Sequence, residues 1–458
     1  MATRWVRILV VLALTLAGSP CQAAKAAREI VTPQGLRVWL VEDHNAPLLT
    51  VGFRFAGGSA QDPAGKLGLA HLTAETFLQG AGALTSDAYL KAWNDLGAEP
   101  NFEARNESLR GTLKVLTQDR DKAADLLALA VLDPRLTPEA LEDVRDQVLA
   151  DLEHQATDPE SVGYAAYGRL AYGDHPMAKP LHGAAQDVAR IAAADILDFR
   201  RRVLVRDGLT LSAVGDITAA EAGVLLDRVF GALPLHGELR AAPDPEPPRA
   251  QRLDIPLTAS EAEVVFGVSL GLLTPRQRDI AELLNYTLGG SAFTSRLYSQ
   301  IRDQRGLAYS IGTSLDNYSV VSEITGTFGS EPVKAEQAIA LARDELVKLA
   351  SDGPTDDEVD EAKAALAGQY LRGLIKRVDL ANELTLRMAQ GFPPDYIATY
   401  GAKLAGIAPD EVRAFARAVP WLDRLIVVTV GAHAELAGAH DQATGERSRA
   451  QAAPGNEP

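Results

Sequence analysis

Two short stretches of this sequence carry side chains able to do chemistry together. The first is Gly68-Leu69-Ala70-His71-Leu72-Thr73-Ala74-Glu75, in which an imidazole and a carboxylate stand four residues apart. On a helix that spacing places them on one face, and both groups are legitimate metal donors. The second is Ile301-Arg302-Asp303-Gln304-Arg305-Gly306-Leu307-Ala308-Tyr309, preceded by Gly289-Gly290-Ser291 and Ser295-Arg296-Leu297-Tyr298. Guanidinium and phenol groups can hold a carbonyl oxygen or an oxyanion as negative charge develops on it. Of the other histidines, His44, His175, His182, His236, His433 and His440 show no i, i+4 pairing. His154 lies one helical turn beyond Asp151 and reads as a solvated residue on an acidic helix.

These residues must be positioned by a chain of 458 residues, too long for one ordinary core, so two or more domains are expected. Apolar residues make up 47% and charged residues 23%, the balance of a soluble globular protein. The net charge of −16 opposes any basic face for DNA or RNA, so no nucleic-acid partner is expected. Arg4 and Arg7 precede the apolar run from Ile8 to Ala17, followed by small residues up to Ala24. That is the pattern of a cleavable signal peptide, and the run is far short of the ~20 residues that span a bilayer. Processing after Ala23 or Ala24 removes Cys21, the single cysteine, and with it any disulfide or thiolate chemistry. The expected location is the periplasm.

The segment 235–256 is dense in proline (Pro243, Pro245, Pro247, Pro248, Pro256) and reads as an extended linker between domains at 25–234 and 257–433. The tail, 434–458, has the composition of a disordered segment. The two halves share an order of elements. Each opens with strand-like alternation, Leu48 to Phe55 and Ala262 to Leu270, followed by a helix. A strand pair comes next, Asn101 to Val115 and Ala308 to Phe328, and then long helices. Thr137-Pro138-Glu139 and the capping box Thr355-Asp356-Asp357-Glu358 open two of those helices. Late strands are expected at Leu209 to Val214 and Leu425 to Val430. The fold class is α+β: two homologous domains, each a mainly antiparallel sheet with helices packed on one face.

The Gly68–Glu75 segment and the Gly289–Tyr309 stretch resemble the pitrilysin/insulinase family of inverzincin metallopeptidases, with the likeness running from about Ile30 to Val430. That family carries H-x-x-E-H on a helix, two imidazoles holding zinc and a glutamate activating water. The resemblance puts His71 at the first histidine, Ala74 at the catalytic glutamate and Glu75 at the second histidine. Asp151 falls at the third ligand. One imidazole and two carboxylates remain, without a general base. They could hold a metal only weakly, and His71 reads first as a packed helix residue with no metal on this chain. In the second half the resemblance falls on Arg302 and Tyr309, seven residues apart, as the pair facing the zinc site across a chamber. The resemblance places Asn101 on the edge strand that in the family accepts peptide by β-addition, with an ordinary edge strand as the alternative. Phe102 stands where the family favours alanine, which leaves open whether its bulk blocks the groove. His175 and His182 fall in a loop read as structural.

The resemblance therefore implies a non-catalytic subunit of a periplasmic zinc metallopeptidase. It implies a homologous catalytic partner with an intact H-x-x-E-H that binds the zinc, and peptides as substrate. A structural scaffold with no part in proteolysis is the rival reading, and a weakly active zinc peptidase a third.

Overall fold

The computed structural model describes residues 26–431. The predicted signal peptide, Cys21, the tail 434–458, His433 and His440 lie outside the described residues.

Two sheets carry the fold. The first contains β1 (Arg28–Val31), β2 (Arg37–Glu42), β3 (Leu48–Ala56), β4 (Glu99–Ala104), β5 (Ser108–Leu116) and β6 (Thr210–Gly215), in the order β1-β2-β6-β3-β5-β4. The second contains β7 (Gln251–Ile255), β8 (Ala262–Gly271), β9 (Ser310–Asn317), β10 (Ser322–Ser330) and β11 (Leu425–Val430), in the order β7-β11-β8-β10-β9. Apart from β1, each strand has a counterpart with the same neighbours. The parallel pairs also correspond: β2 with β6, and β7 with β11. The duplication expected from the sequence is thus present in the topology. Thr137 and Thr355 cap the helices they were expected to open, each hydroxyl accepting from the backbone N–H three residues on.

The proline-rich segment departs from its reading as pure linker. Its last part, Gln251–Ile255, is β7, an edge strand paired only with β11. Four of its five residues are exposed, so it lacks the alternation by which a strand is recognised in sequence.

The covering of the sheets also departs from expectation. One face of the first sheet packs Leu49, Val51, Phe53 and Phe55 into the first half's own core. The other face receives the helix Arg377–Ala389 from the second half: the Ser212 hydroxyl donates to the Ala381 carbonyl at 2.8 Å, and the Thr210 hydroxyl to that of Thr385 at 3.1 Å. Reciprocally, the helix Pro159–Tyr172 of the first half lies on the second sheet. It buries Ala166, Tyr167 and Ala171 against Val265, Ile426, Val428 and Val430. Each sheet therefore has helices on both faces, one of them lent by the opposite half. The cause is visible in β6 and β11, TLSAVG and LIVVTV, which are buried along their whole length and have no solvated face.

Candidate active site

The helix Leu69–Glu75 is held at its N-terminus by unusual local chemistry. Gly68 caps it at φ +98°, a left-handed conformation that favours glycine. The buried Asp62 carboxylate accepts from the N–H groups of Gly68 at 2.8 Å and Ala70 at 2.9 Å. Burial nevertheless pushes the Asp62 carboxyl up to about 7, against those bonds and the nearby Lys179 ammonium. Lys179 donates to the carbonyls of Ala60 and Asp62, both at 2.7 Å. The loop at Gly183 passes so close that a Cβ there would lie 2.4 Å from the Gly68 Cα.

That close passage brings His182 against the motif helix, with its ring edge-on to His71 at 4.6 Å between centroids. His71 retains 16% side-chain exposure. Burial pulls its pKa down to about 4, His182 adds to the effect, and Asp151 opposes it. Burial also lowers His182, whose Nδ1 lies 3.2 Å from Gln155 Oε1, and raises Glu75, where the Asp151 charge acts in the same direction. The residues aligned with the zinc ligands thus share one neighbourhood, together with a histidine read from the sequence as merely structural. His182 shows no i, i+4 pairing, and only the glycine contact reveals its place. Asp62 was missed too; its signal is an aspartate just ahead of a glycine-capped helix.

The neighbourhood does not fit zinc. His71 Nδ1 and Glu75 Oε1 are 4.0 Å apart, and Ala74, where the general base would stand, is 2% exposed within the core. Among the described residues, no group of three or more His, Cys, Asp or Glu is arranged to hold a metal ion. His154 is exposed on the helix Pro138–Gln155. His175 ties its loop to the linker, its Nε2 standing 2.7 Å from the Pro243 carbonyl.

Asn101 is exposed on β4, the edge strand of the first sheet. Phe102, whose effect on the groove the sequence leaves open, points away from it. Its ring stacks on Phe77 at 4.3 Å and packs beside Phe53 at 5.7 Å, inside the core. The strand alternation that exposes Asn101 turns its neighbour inward.

In the second half, Arg302 lies on a π-helical turn, Tyr298–Asp303, a distortion often found at functional sites. Its guanidinium donates to the Tyr298 hydroxyl and lies 4.9 Å from the centre of that ring. The chain then reverses through Gly306 at φ +59° and leads into β9, with Tyr309 56% exposed and its N–H bonded to the Gly329 carbonyl at 3.0 Å. Arg296, three residues before Ser299 in the same run, is spent on Glu358 in a two-pronged ion pair. Arg302 and Tyr309 thus stand exposed on one short segment. No hydrogen bond or ion pair joins them to His71, Glu75 or Asp151 among the described residues.

Residues 37–185 match the family Insulinase (Peptidase family M16), and residues 190–366 match its companion, Peptidase M16 inactive domain. The chain belongs to the M16 family. It is 29% identical over 360 residues to an uncharacterized zinc protease of Mycobacterium tuberculosis, covering 77% of this chain and 81% of that one. It is 24% identical over 352 residues to the non-peptidase homolog YmxG of Helicobacter pylori, covering 76% and 80% of the two chains. The fold matches the crystal structure of a peptidase M16 inactive domain from Pseudomonas fluorescens, with a TM-score of 0.82 at 24% identity. That match covers 88% of this chain and 97% of the other. A protease structure from Helicobacter pylori gives 0.78 at 18% identity, over 88% and 99%. This M16 chain therefore keeps the two-domain α+β fold while its motif helix carries alanine and glutamate where base and second imidazole belong.

Proposed function

We propose that this M16 chain is the non-catalytic subunit of a periplasmic zinc metallopeptidase. A homologous subunit with an intact H-x-x-E-H supplies the zinc site and the base. This chain supplies Arg302, Tyr309 and part of the chamber wall, and Asn101 on the β4 edge offers backbone to an extended peptide. One contrast carries the reading: the motif helix has alanine and glutamate where base and second imidazole belong, whereas Arg302, on a π-helical turn, and Tyr309, just ahead of β9, both stand exposed. An alanine in place of a general base costs about 10²- to 10⁴-fold in rate. An exposed guanidinium and phenol remain able to hold the substrate carbonyl oxygen as it gains charge. The relative named a non-peptidase homolog supports the absence of catalysis by this chain alone.

The test is peptide cleavage by the purified mature chain, by a homologue with an intact motif, and by the two mixed. We expect no cleavage by this chain alone and a clear gain on mixing. Arg302→Ala with Tyr309→Phe lowers the mixed rate by roughly 10²- to 10³-fold while the complex still co-elutes. The proposal fails if the partner alone cleaves at the full rate of the mixture, or if this chain alone shows chelator-sensitive cleavage.

A further inference from the structure

A cavity of about 770 Å³ lies between the two halves and away from the motif helix. The first half contributes Arg37, Arg54, Arg206, Glu107 and Asp207, and the second contributes Arg278 together with the Asn317–Ser319 turn and the end of the helix Arg377–Ala389. Four arginines thus face two carboxylates in a chain whose overall charge is −16. Arg37 is matched by Glu29, outside the cavity, and Asp207 by His236. Arg54, Arg206 and Arg278 have no ion pair among the described residues. Arg206 donates only to the Gln34 carbonyl, and the Nε atoms of Arg206 and Arg278 are buried without an acceptor.

Glu107 does not neutralise the arginines directly. Its carboxylate accepts from the Ser319 N–H at 3.0 Å and from the Ser319 hydroxyl, clasping the β9–β10 turn to the first half. Arg54 projects from β3 on the face opposite the core, with Arg110 as its cross-strand partner on β5. Burial, then the Arg110 charge, pull the Arg54 guanidinium down to about 10, with Glu107 opposing; burial and then Arg387 lower Arg278. Charges withdrawn from water without partners are costly, and they persist where a ligand completes them.

We infer that this inter-half cavity is a binding site for a small phosphate-type dianion held by Arg54, Arg206 and Arg278. The surplus of two positive charges among the lining residues matches a dianion better than a single carboxylate. Arginines from a strand, a loop and a helix suit the several oxygens of a tetrahedral phosphate. Because the arginines come from both halves, the ligand also bridges them.

The test uses the purified mature chain, with unfolding temperature and calorimetric titration followed in inorganic phosphate, pyrophosphate, succinate and sodium chloride at matched ionic strength. We expect phosphate or pyrophosphate to bind saturably and raise the unfolding temperature above the chloride control. Arg54→Gln and Arg278→Gln each weaken that binding at least tenfold. In phosphate-free buffer the same variants unfold no earlier than the wild type, since each removes an unpaired buried charge; this separates lost binding from lost folding. Stabilisation equal to that of chloride overturns the inference. So does a response surviving in the Arg54→Gln/Arg278→Gln double variant, and succinate binding more tightly than either phosphate overturns the ligand class.

Discussion

Glu323 on β10 offers a quantitative test of how the two halves are joined. It is 4% exposed, and its carboxylate accepts a 2.7 Å hydrogen bond from the Tyr167 hydroxyl on the helix that the first half lends to the second sheet. Burial raises its pKa from 4.5 to about 7, prevailing over the hydroxyl donors that favour the charged form. Between those two values the folded protein holds a proton that the unfolded chain has released. Its contribution to stability therefore falls as pH rises through that window, by up to ~3 kcal/mol at 1.36 kcal/mol per pKa unit. Glu323→Gln keeps an oxygen for Tyr167 to donate to and removes the titration. The variant should match the wild type near pH 4 and exceed it by as much as ~3 kcal/mol above pH 8. Asp62, raised in the same direction, and His71, lowered, also shape both profiles, but they cancel in the difference. Urea unfolding across this pH range, with unchanged denaturant slopes, measures it directly. Parallel profiles for the two proteins would refute the argument, because they would mean that Glu323 is ionised in the fold at no cost.

Three further outcomes follow from the packing and the site. Phe102→Ala should cost about 3–5 kcal/mol in urea unfolding, as a stacked core ring does, whereas a groove-facing ring would cost little. Gly52→Val should destabilise by at least about 1–3 kcal/mol, because a Cβ there already lies 2.9 Å from the Ala381 carbonyl of the lent helix; tolerance would show that the helix can retreat. Glu75→His places a second imidazole one turn from His71, beside Asp151 and His182. Zinc retained after dialysis, read by elemental analysis, should rise well above wild type toward about one ion per chain, and equal content would refute the reading of position 75 as the missing ligand.

Much of the fold was legible because it rests on local signals. The strands with a buried core face and the capped helices Pro138–Gln155 and Asp356–Gly373 stand where periodicity and capping residues place them. The strands that escaped are edge elements or their immediate neighbours: β1 is four residues long and mostly exposed, and β7 is polar and hidden in proline-rich surroundings. The lending of helices between halves left a trace in the nearly unbroken apolar run of β11, LIVVTV, and in the short uncharged run of β6, TLSAVG, which are buried on both faces. Those runs cannot say which helix does the covering. That depends on Gly52 and Gly267, which leave room on each sheet for the opposite half's helix, and on Gly163, which lets the lent helix approach Val265; a glycine's tolerance of a distant neighbour is not written in local pattern.

The site divides along the same line. His71, Ala74 and Glu75 lie within about one turn of one helix, so a motif and its losses can be read from spacing alone. His182 is 111 positions downstream and reaches His71 only because Gly183 and Gly68 allow two backbones to touch, so the second imidazole escapes a search for helical pairs. Its arrival does not restore the missing chemistry. A buried His71 beside a second lowered histidine supplies donors, but Ala74 leaves no carboxylate at the position from which the family's glutamate takes a proton from water. Loss of the base thus weighs more than loss of one ligand, since a rearranged histidine can stand in for a ligand but not for an activating carboxylate. Restoring Glu75→His alone should therefore recover zinc without recovering hydrolysis. Cleavage by that single variant would show that another group on this chain, unseen in the geometry, can serve as base.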